Sequence, residues 1–349
     1  MKTFFKDSRP WLIAGPCSAE SEEQVLATAR ALKDVGVNVF RAGIWKPRTH
    51  PGCFEGIGEK GLPWLREVQE QTGMKVCTEV AGASHVKACL DAGIDMLWVG
   101  ARTTSNPFLV QEIAESLSGT DVPVLVKNPV NADLGLWTGA IERFRAQDVT
   151  NLGIIHRGFS TFDKIRYRNV PHWRYAIEMR TRFPELPFFC DPSHMAGAVE
   201  YVAEISQRAL DLGFDGLMIE SHCCPRQALS DASQQLEPSA LDGLLGSLKV
   251  RDQVAGNDET LESLRARIDA VDDEIIRLLA ERMGISREIG SYKKERNIAI
   301  IQSARFEELL EAAKKLGATY GLDAGFLARI FNMIHDASAA EQNKIISEK

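Results

Sequence analysis

Eight short apolar runs follow one another through the first two-thirds of this 349-residue chain, and nearly every one ends on a charged or metal-binding residue. The runs are WLIAGPCS, NVFRAG, KVCTEV, DMLWVG, VPVLVKN, LGIIHRG, PFFCDPSH and GLMIESH. Their terminal residues are Cys17, Arg41 then Lys46, Glu79, Arg102, Lys127, Arg157, Asp191 with His194, and Glu220. Strands alternating with helices, with chemistry at the strand C-termini, predict an α/β fold of the (β/α)8 barrel type. A purely structural barrel has no reason to place polar groups there repeatedly, so the pattern points to an enzyme. Helical spacing in SEEQVLATARALKDVG, SHVKACLDAG, NPFLVQEIAESLSG, HWRYAIEMRTRF and AVEYVAEISQRALDLG supplies the intervening helices. Lys46 to Gly61, rich in Gly and Pro, reads as a long functional loop after the second strand.

A barrel needs about 250 residues, so a second domain is expected. The texture changes after Ser247, and we expect a barrel over 1–248, a linker over 249–258 and a helical domain over 259–349. From Thr260 to Arg296, Leu261, Leu264, Ile268, Val271, Ile275, Leu278, Leu279, Ile285, Ile289 and Tyr292 recur mainly at steps of three and four. That predicts one helix of about 37 residues, roughly 55 Å long. A small domain cannot bury such a stripe alone, so we expect a homodimer or higher assembly through these helices. Two more helices are expected, at about Ala304 to Leu316 and Ala324 to Ile346, making a small all-α three-helix domain.

The net charge of −7 argues against a nucleic-acid partner. There is no 18-residue apolar stretch, so no membrane span is expected. Seven cysteines, an odd number with no secretory signal, fit reduced thiols in a cytoplasm.

Cys17, His194 and Glu220 lie at or just after strands one, seven and eight, which become neighbours when a barrel closes. Asp231 follows in the loop after strand eight. Thiolate, imidazole and two carboxylates suit a divalent metal without selecting one strongly. Taken singly, Cys17 reads as a small core residue and His194 as a structural one; Cys223 and Cys224 could compete as ligands but read as packing residues. The cations Arg41, Lys46, Arg48, Arg102, Lys127 and Arg157 end apolar strands and need anions to balance them. Two phosphates, or a phosphate plus a carboxylate, would fit.

GPCS (15–18), KPRT (46–49), GAR (100–102), DPSH (191–194), IESH (219–222) and ALSD (228–231) together resemble the 3-deoxy-D-arabino-heptulosonate 7-phosphate (DAHP) synthases, in their short-barrel subclass related to the 3-deoxy-octulosonate 8-phosphate synthases. The resemblance runs from about Trp11 to Leu248. It implies condensation of phosphoenolpyruvate with erythrose 4-phosphate. By the same resemblance Cys17, His194, Glu220 and Asp231 hold a divalent metal ion, Mn²⁺ or similar. Arg102, Lys127 and Arg157 hold phosphoenolpyruvate, with Arg41 among the barrel's substrate-binding cations. Lys46 transfers a proton, Arg48 and Thr49 bind the sugar phosphate, Asp191 its hydroxyls, and Glu79 orients water or the enol. KPRT separates this chain from the octulosonate enzymes, the alternative within the same chemistry. A Schiff-base aldolase at Lys127 or Lys46 is a further alternative. His50 replaces a common Ser after KPRT, and NPVNADLGLW stands where relatives have an Arg-Gly pair. The first run begins at Trp11, so no N-terminal regulatory domain is expected, and control must come from elsewhere.

In the C-terminal region, LxxLRxxID, LLAERM, IGSYK and HDASAAEQ resemble the all-helical chorismate mutases, over Leu261 to Gln342. At 100° per residue Arg282 and Lys293 share a face, Arg265 lies about 100° away, and Ser338 and Gln342 are an i, i+4 pair. Ordinary helix-surface charge is the plain alternative. The resemblance implies that Arg282, Arg305 and, from the other subunit, Arg265 bind the carboxylates of chorismate, with Ser338 adding a contact. Lys293 and Gln342 would serve the ether oxygen. Gln302 and Phe306 stand where some relatives have acidic groups. A bifunctional enzyme of aromatic biosynthesis is expected, its mutase domain also mediating feedback by chorismate or prephenate. The alternative is a non-catalytic, effector-sensing helical domain.

Overall fold

The computed structural model describes residues 10–47, 52–162, 166–251, 259–300 and 303–347. Contacts divide the chain into two compact units, Met1–Gln253 and Val254–Lys349.

In the first unit, β1 (Trp11–Gly15), β2 (Val39–Arg41), β3 (Lys75–Val80), β4 (Met96–Val99), β5 (Val124–Lys127), β6 (Leu152–His156), β7 (Phe188–Cys190) and β8 (Gly216–Glu220) are all parallel and close a barrel in sequence order. The closing pair aligns Gly15 with Glu220, so the loop after β1 starts beside the end of β8. Around the strands lie α1 (Glu22–Lys33), α2 (Leu62–Thr72), α3 (Ala83–Asp91), the single turn α4 (Ala101–Thr104), α5 (Pro107–Leu117), α6 (Leu134–Ala146), α7 (Trp173–Arg182), the short α8 (Pro192–Ala196), α9 (Val202–Asp211) and α10 (Pro238–Ser247). Helical spacing had not picked out α2, α6 and α10. Gly135 and Gly139 interrupt α6, and Gly243 and Gly246 interrupt α10, which weakens a helical pattern in sequence. Packing against the barrel overrides that local cost, and the Asp133 side chain caps α6 by accepting from Leu136 N at 2.9 Å.

The core has two layers. Trp11, Ile13, Val39, Cys77, Met96, Trp98, Leu125, Ile155, Phe189 and Met218 fill the barrel. A larger cluster packs the outward strand faces against the helices. Gly15 sits at φ +151°, and a Cβ there would fall 2.1 Å from the Arg41 carbonyl oxygen, so β1 and β2 meet closely only with glycine.

His156 at the end of β6 is fully buried against Trp137, Phe159 and Trp173, and its Nε2 meets the Pro171 carbonyl. Burial pushes its pKa down to about 3, against the partial support of that carbonyl. The folded barrel therefore keeps a neutral imidazole, while the unfolded chain takes up a proton near the ordinary value of about 6.5. This contribution is present above that value and lost as pH falls toward 3. Between pH 7 and pH 5 the loss is about 2 kcal/mol. Barrel stability measured across that range is expected to fall accordingly, and His156→Gln to flatten the slope; an unchanged slope would contradict the assignment.

The second unit consists of α11 (Glu259–Glu295), α12 (Ser303–Thr319) and α13 (Ala324–Ser347). α11 has 37 residues. Both α11 and α12 pack on α13. Along α11, Leu264, Ile268, Val271, Ile275, Ile276, Leu278, Ile285, Ile289 and Tyr292 remain exposed.

Candidate active sites

The C-terminal mouth of the barrel gathers the strand-end residues. Cys17 lies two residues past β1, with its N–H donating to Gln235 Oε1 at 2.9 Å and its Sγ 3.3 Å from Asp231 Oδ2. Donor atoms of Cys17, His194 and Asp231 all lie within 4.8 Å of one another. Glu220 Oε1 stands 3.6 Å from His194 Nε2 and 3.1 Å from Arg41 Nη2, outside that trio but adjoining it.

These residues fit a divalent metal. Burial, then the Glu220 charge, pushes the Cys17 thiol up to about 12, so a thiolate there needs a cation. Burial lowers the His194 pKa, which favours the neutral ring that ligates metals. His194 Nδ1 faces Asp191 Oδ2 at 2.8 Å, the carboxylate backing that orients a ligating imidazole. Among the described residues Glu220 Oε1 is a buried oxygen with no hydrogen bond, although it touches Arg41.

Beside this cluster, Lys46, Glu79, Arg102, Lys127, Arg157, Arg168, His194 and Asp231 line one cleft. Lys46 Nζ donates to the Cys17 carbonyl at 3.1 Å. Lys127 Nζ pairs with Asp191 at 2.6 Å. Burial would raise the Asp191 pKa, yet His194, Lys127 and Arg41 hold this carboxyl well below the ordinary range. Arg157 is steered by two amides: its N–H donates to Asn128 Oδ1 at 2.7 Å and its Nη1 to Asn169 Oδ1 at 2.8 Å. Burial pushes its pKa down to about 10, so it stays charged at neutral pH and gains from an anion. Glu79 Oε2 accepts from Trp98 Nε1 at 3.2 Å. A Cβ at Gly100 would sit 2.0 Å from Glu79 Oε1, so glycine there leaves room for the carboxylate.

Two strand-end residues lie deeper. Arg41 is fully buried beneath the cleft, its guanidinium 4.9 Å from the Trp98 ring centroid. Asp191 is also fully buried and engaged with Lys127 and His194. Arg48 and Thr49 lie outside the described residues.

Sequence reasoning passed over the groups that hold the carboxylates. Arg168 Nη1 donates to Asp231 Oδ1 and to Gln234 Oε1, both at 2.9 Å. Gln234 Nε2 in turn donates to Glu220 Oε2 at 2.7 Å. The run RYRN, which places Arg168 eleven residues beyond Arg157, was the available signal. Neutral amides such as Gln234 carry no comparable mark.

In the helical unit, Arg282 Nη1 donates to Ser338 Oγ at 2.5 Å, and Lys293 Nζ to Gln342 Oε1 at 3.1 Å and the Ile300 carbonyl at 2.6 Å. Four of the expected residues thus meet between α11 and α13. Arg265 and Arg305 instead extend outward, paired with Glu262 at 2.6 Å and Glu308 at 3.1 Å. Phe306 stacks on His335 with ring centroids 4.0 Å apart, and Gln302 lies outside the described residues. Among the described residues, no helix is long and apolar enough to cross a membrane.

Comparison with known proteins separates the same two regions. Residues 4–254 match the family model described as DAHP synthetase I family, and residues 264–343 match that of chorismate mutase type II. The chain is similar to phospho-2-dehydro-3-deoxyheptonate aldolase of Thermotoga maritima, 33% identical over 238 residues, covering 68% of each chain. The crystal structure of that enzyme aligns with a TM-score of 0.60, over 68% of this chain and 67% of the other. 2-Dehydro-3-deoxyphosphooctonate aldolase of Azoarcus sp. is 28% identical over 278 residues, covering 74% of this chain and 96% of its own.

Proposed function

Because the chain belongs to the DAHP synthetase I family, carries a chorismate mutase type II domain and is a bifunctional enzyme of aromatic biosynthesis, we propose that the residues gathered at its two sites carry out the two reactions. The observation that carries the barrel assignment is one cleft lined by Lys46, Arg102, Lys127 and Arg157 that abuts the Cys17, His194 and Asp231 donors.

Arg102, Lys127 and Arg157 take the phosphate and carboxylate of phosphoenolpyruvate. Arg48 and Thr49 take the phosphate of erythrose 4-phosphate, while Asp191, expected from sequence to meet the sugar hydroxyls, is buried and instead backs Lys127 and His194. Arg41, from beneath, holds Glu220 in place. Cys17, His194, Glu220 and Asp231 hold a divalent ion, Mn²⁺ or similar, which when bound supplies Lewis-acid polarisation of the aldehyde. The enol carbon bonds to the aldehyde carbon, and the aldehyde oxygen receives the Lys46 proton. Water, oriented by Glu79, adds at the neighbouring carbon and returns one proton to Lys46; the carbon–oxygen bond to phosphate then breaks, and inorganic phosphate departs with the new hydroxyl's proton, leaving the ketone. The cations align two anions that would otherwise repel, which is positioning and charge stabilisation together.

For the mutase, Arg282 and Arg305, with Arg265 of a second subunit, grip the carboxylates of chorismate, and Ser338 adds a contact. Lys293 and Gln342 meet the ether oxygen, where negative charge grows as the bond breaks. The exposed apolar stripe of α11 supports pairing with a second copy; light scattering at one-chain mass would remove that support. Reduced cysteines, all seven unpaired, fit the cytoplasm. A tethered mutase domain also suits feedback control, with prephenate damping the condensation.

One assay tests the barrel. Phosphoenolpyruvate absorbance is expected to fall with erythrose 4-phosphate, to hold steady after chelation, and to fall again on Mn²⁺ addition. Loss with arabinose 5-phosphate alone would reassign the barrel to the octulosonate class. Unchanged rates at saturating prephenate would remove the feedback reading.

A further inference from the structure

We infer that Ser286 is a positioning residue for the rearrangement, fixing which end of the Gln342 amide faces the reacting ether. The inference rests on the proposed role of Gln342. Ser286 is buried at 4% exposure, one turn after Arg282 on the α11 face that also carries Lys293. Its hydroxyl donates to the Ser338 carbonyl at 3.2 Å, and Gln342 Nε2 donates to its oxygen at 3.2 Å.

The hydrogen-bond inventory leaves one arrangement. A serine hydroxyl has a single proton, and here it is committed to a carbonyl. Ser286 can therefore only accept from Gln342, which must present its NH2. At the other end the Lys293 ammonium, a donor without acceptor capacity, needs the Gln342 carbonyl oxygen and meets it at 3.1 Å. A flipped amide would set oxygen against the Ser286 lone pairs and NH2 against the ammonium. Gly290, one turn further along α11, keeps the two helices close. A Cβ there would lie 3.1 Å from Gln342 Cα and 3.3 Å from its Cγ. The amide is thus seated between a glycine gap and a serine oxygen. Its second N–H remains to donate to the oxygen that gains charge in the transition state, where the flipped amide would offer a repelling carbonyl.

Without the hydroxyl the amide loses its directional tie. Ser286→Ala in the full chain is expected to lower kcat for chorismate about threefold to tenfold, the worth of one ordinary hydrogen bond, with KM little changed. A double-mutant cycle separates positioning from packing. If Ser286 acts through Gln342, Ser286→Ala has no further effect on kcat in a Gln342→Ala background. An equal loss in both backgrounds, or no loss in the single variant, overturns the inference. Gln342→Ala with wild-type turnover would instead sink the role of Gln342 itself. The two failures are therefore distinct.

Discussion

Replacing Cys17 with alanine is expected to lower the rate of DAHP formation by about a thousandfold or more, while chorismate turnover by the same preparation stays near wild type. Lewis-acid polarisation is worth several kcal/mol, and each 1.36 kcal/mol is tenfold in rate. The thiol sits in a site built around it, with Asp231 at 3.3 Å and the Cys17 backbone held by Gln235. Its removal leaves three donors in place of four, His194 and two carboxylates, and so a weaker hold on the ion. Direct Mn²⁺ titration should show weakened binding in parallel. Wild-type Mn²⁺ affinity in Cys17→Ala would remove Cys17 from the ligand set. Wild-type condensation in thoroughly chelated enzyme would remove the metal from the reaction.

Replacing Arg282 with alanine is expected to have the mirror effect, lowering chorismate turnover by about a hundredfold to a thousandfold, the scale for losing one preorganised charge-stabilising donor. Condensation in the barrel should continue. Arg282 already meets Ser338 at 2.5 Å between α11 and α13, so a substrate carboxylate finds it oriented. Arg282→Lys should recover part of the loss, since a point charge replaces a planar fork. The disappearance of chorismate absorbance reads this directly. Full mutase activity in Arg282→Ala would move the site elsewhere, while no chorismate turnover by wild type would favour the effector-sensing reading.

Both predictions rest on residues legible in the chain, and the reason is local. Cys17, Lys127, Arg157, Asp191 and Glu220 each interrupt an apolar run at the point where a parallel strand must end, so their placement follows from strand periodicity. Likewise, the three-and-four spacing along α11 marks a stripe that the three helices of one chain leave exposed. Arg282, Lys293, Ser338 and Gln342 could be assigned to shared helix faces from angular arithmetic alone.

What periodicity could not reach is how the charges balance one another. Arg41 ends a strand as Arg157 does, yet the fold turns its side chain inward onto Glu220 and Trp98, and leaves Arg157 on the cleft wall. Gln235 reaches Cys17 across 218 positions, Gln234 and Asn169 meet the charged Glu220 and Arg157 through their amides, and Ser286 accepts from the neutral Gln342 amide. Such groups have no hydrophobic rhythm and no charge to mark them; their roles exist only once distant segments share a buried volume. The sequence by itself determined the barrel and the long helix, because those follow from where apolar residues recur along the chain, while the chemistry at each end was implied by motifs and the families they resemble. Tertiary structure alone decided which carboxylate faces which cation and which amide end faces outward, because a hydrogen bond is set by distance and direction between atoms that the chain order keeps apart.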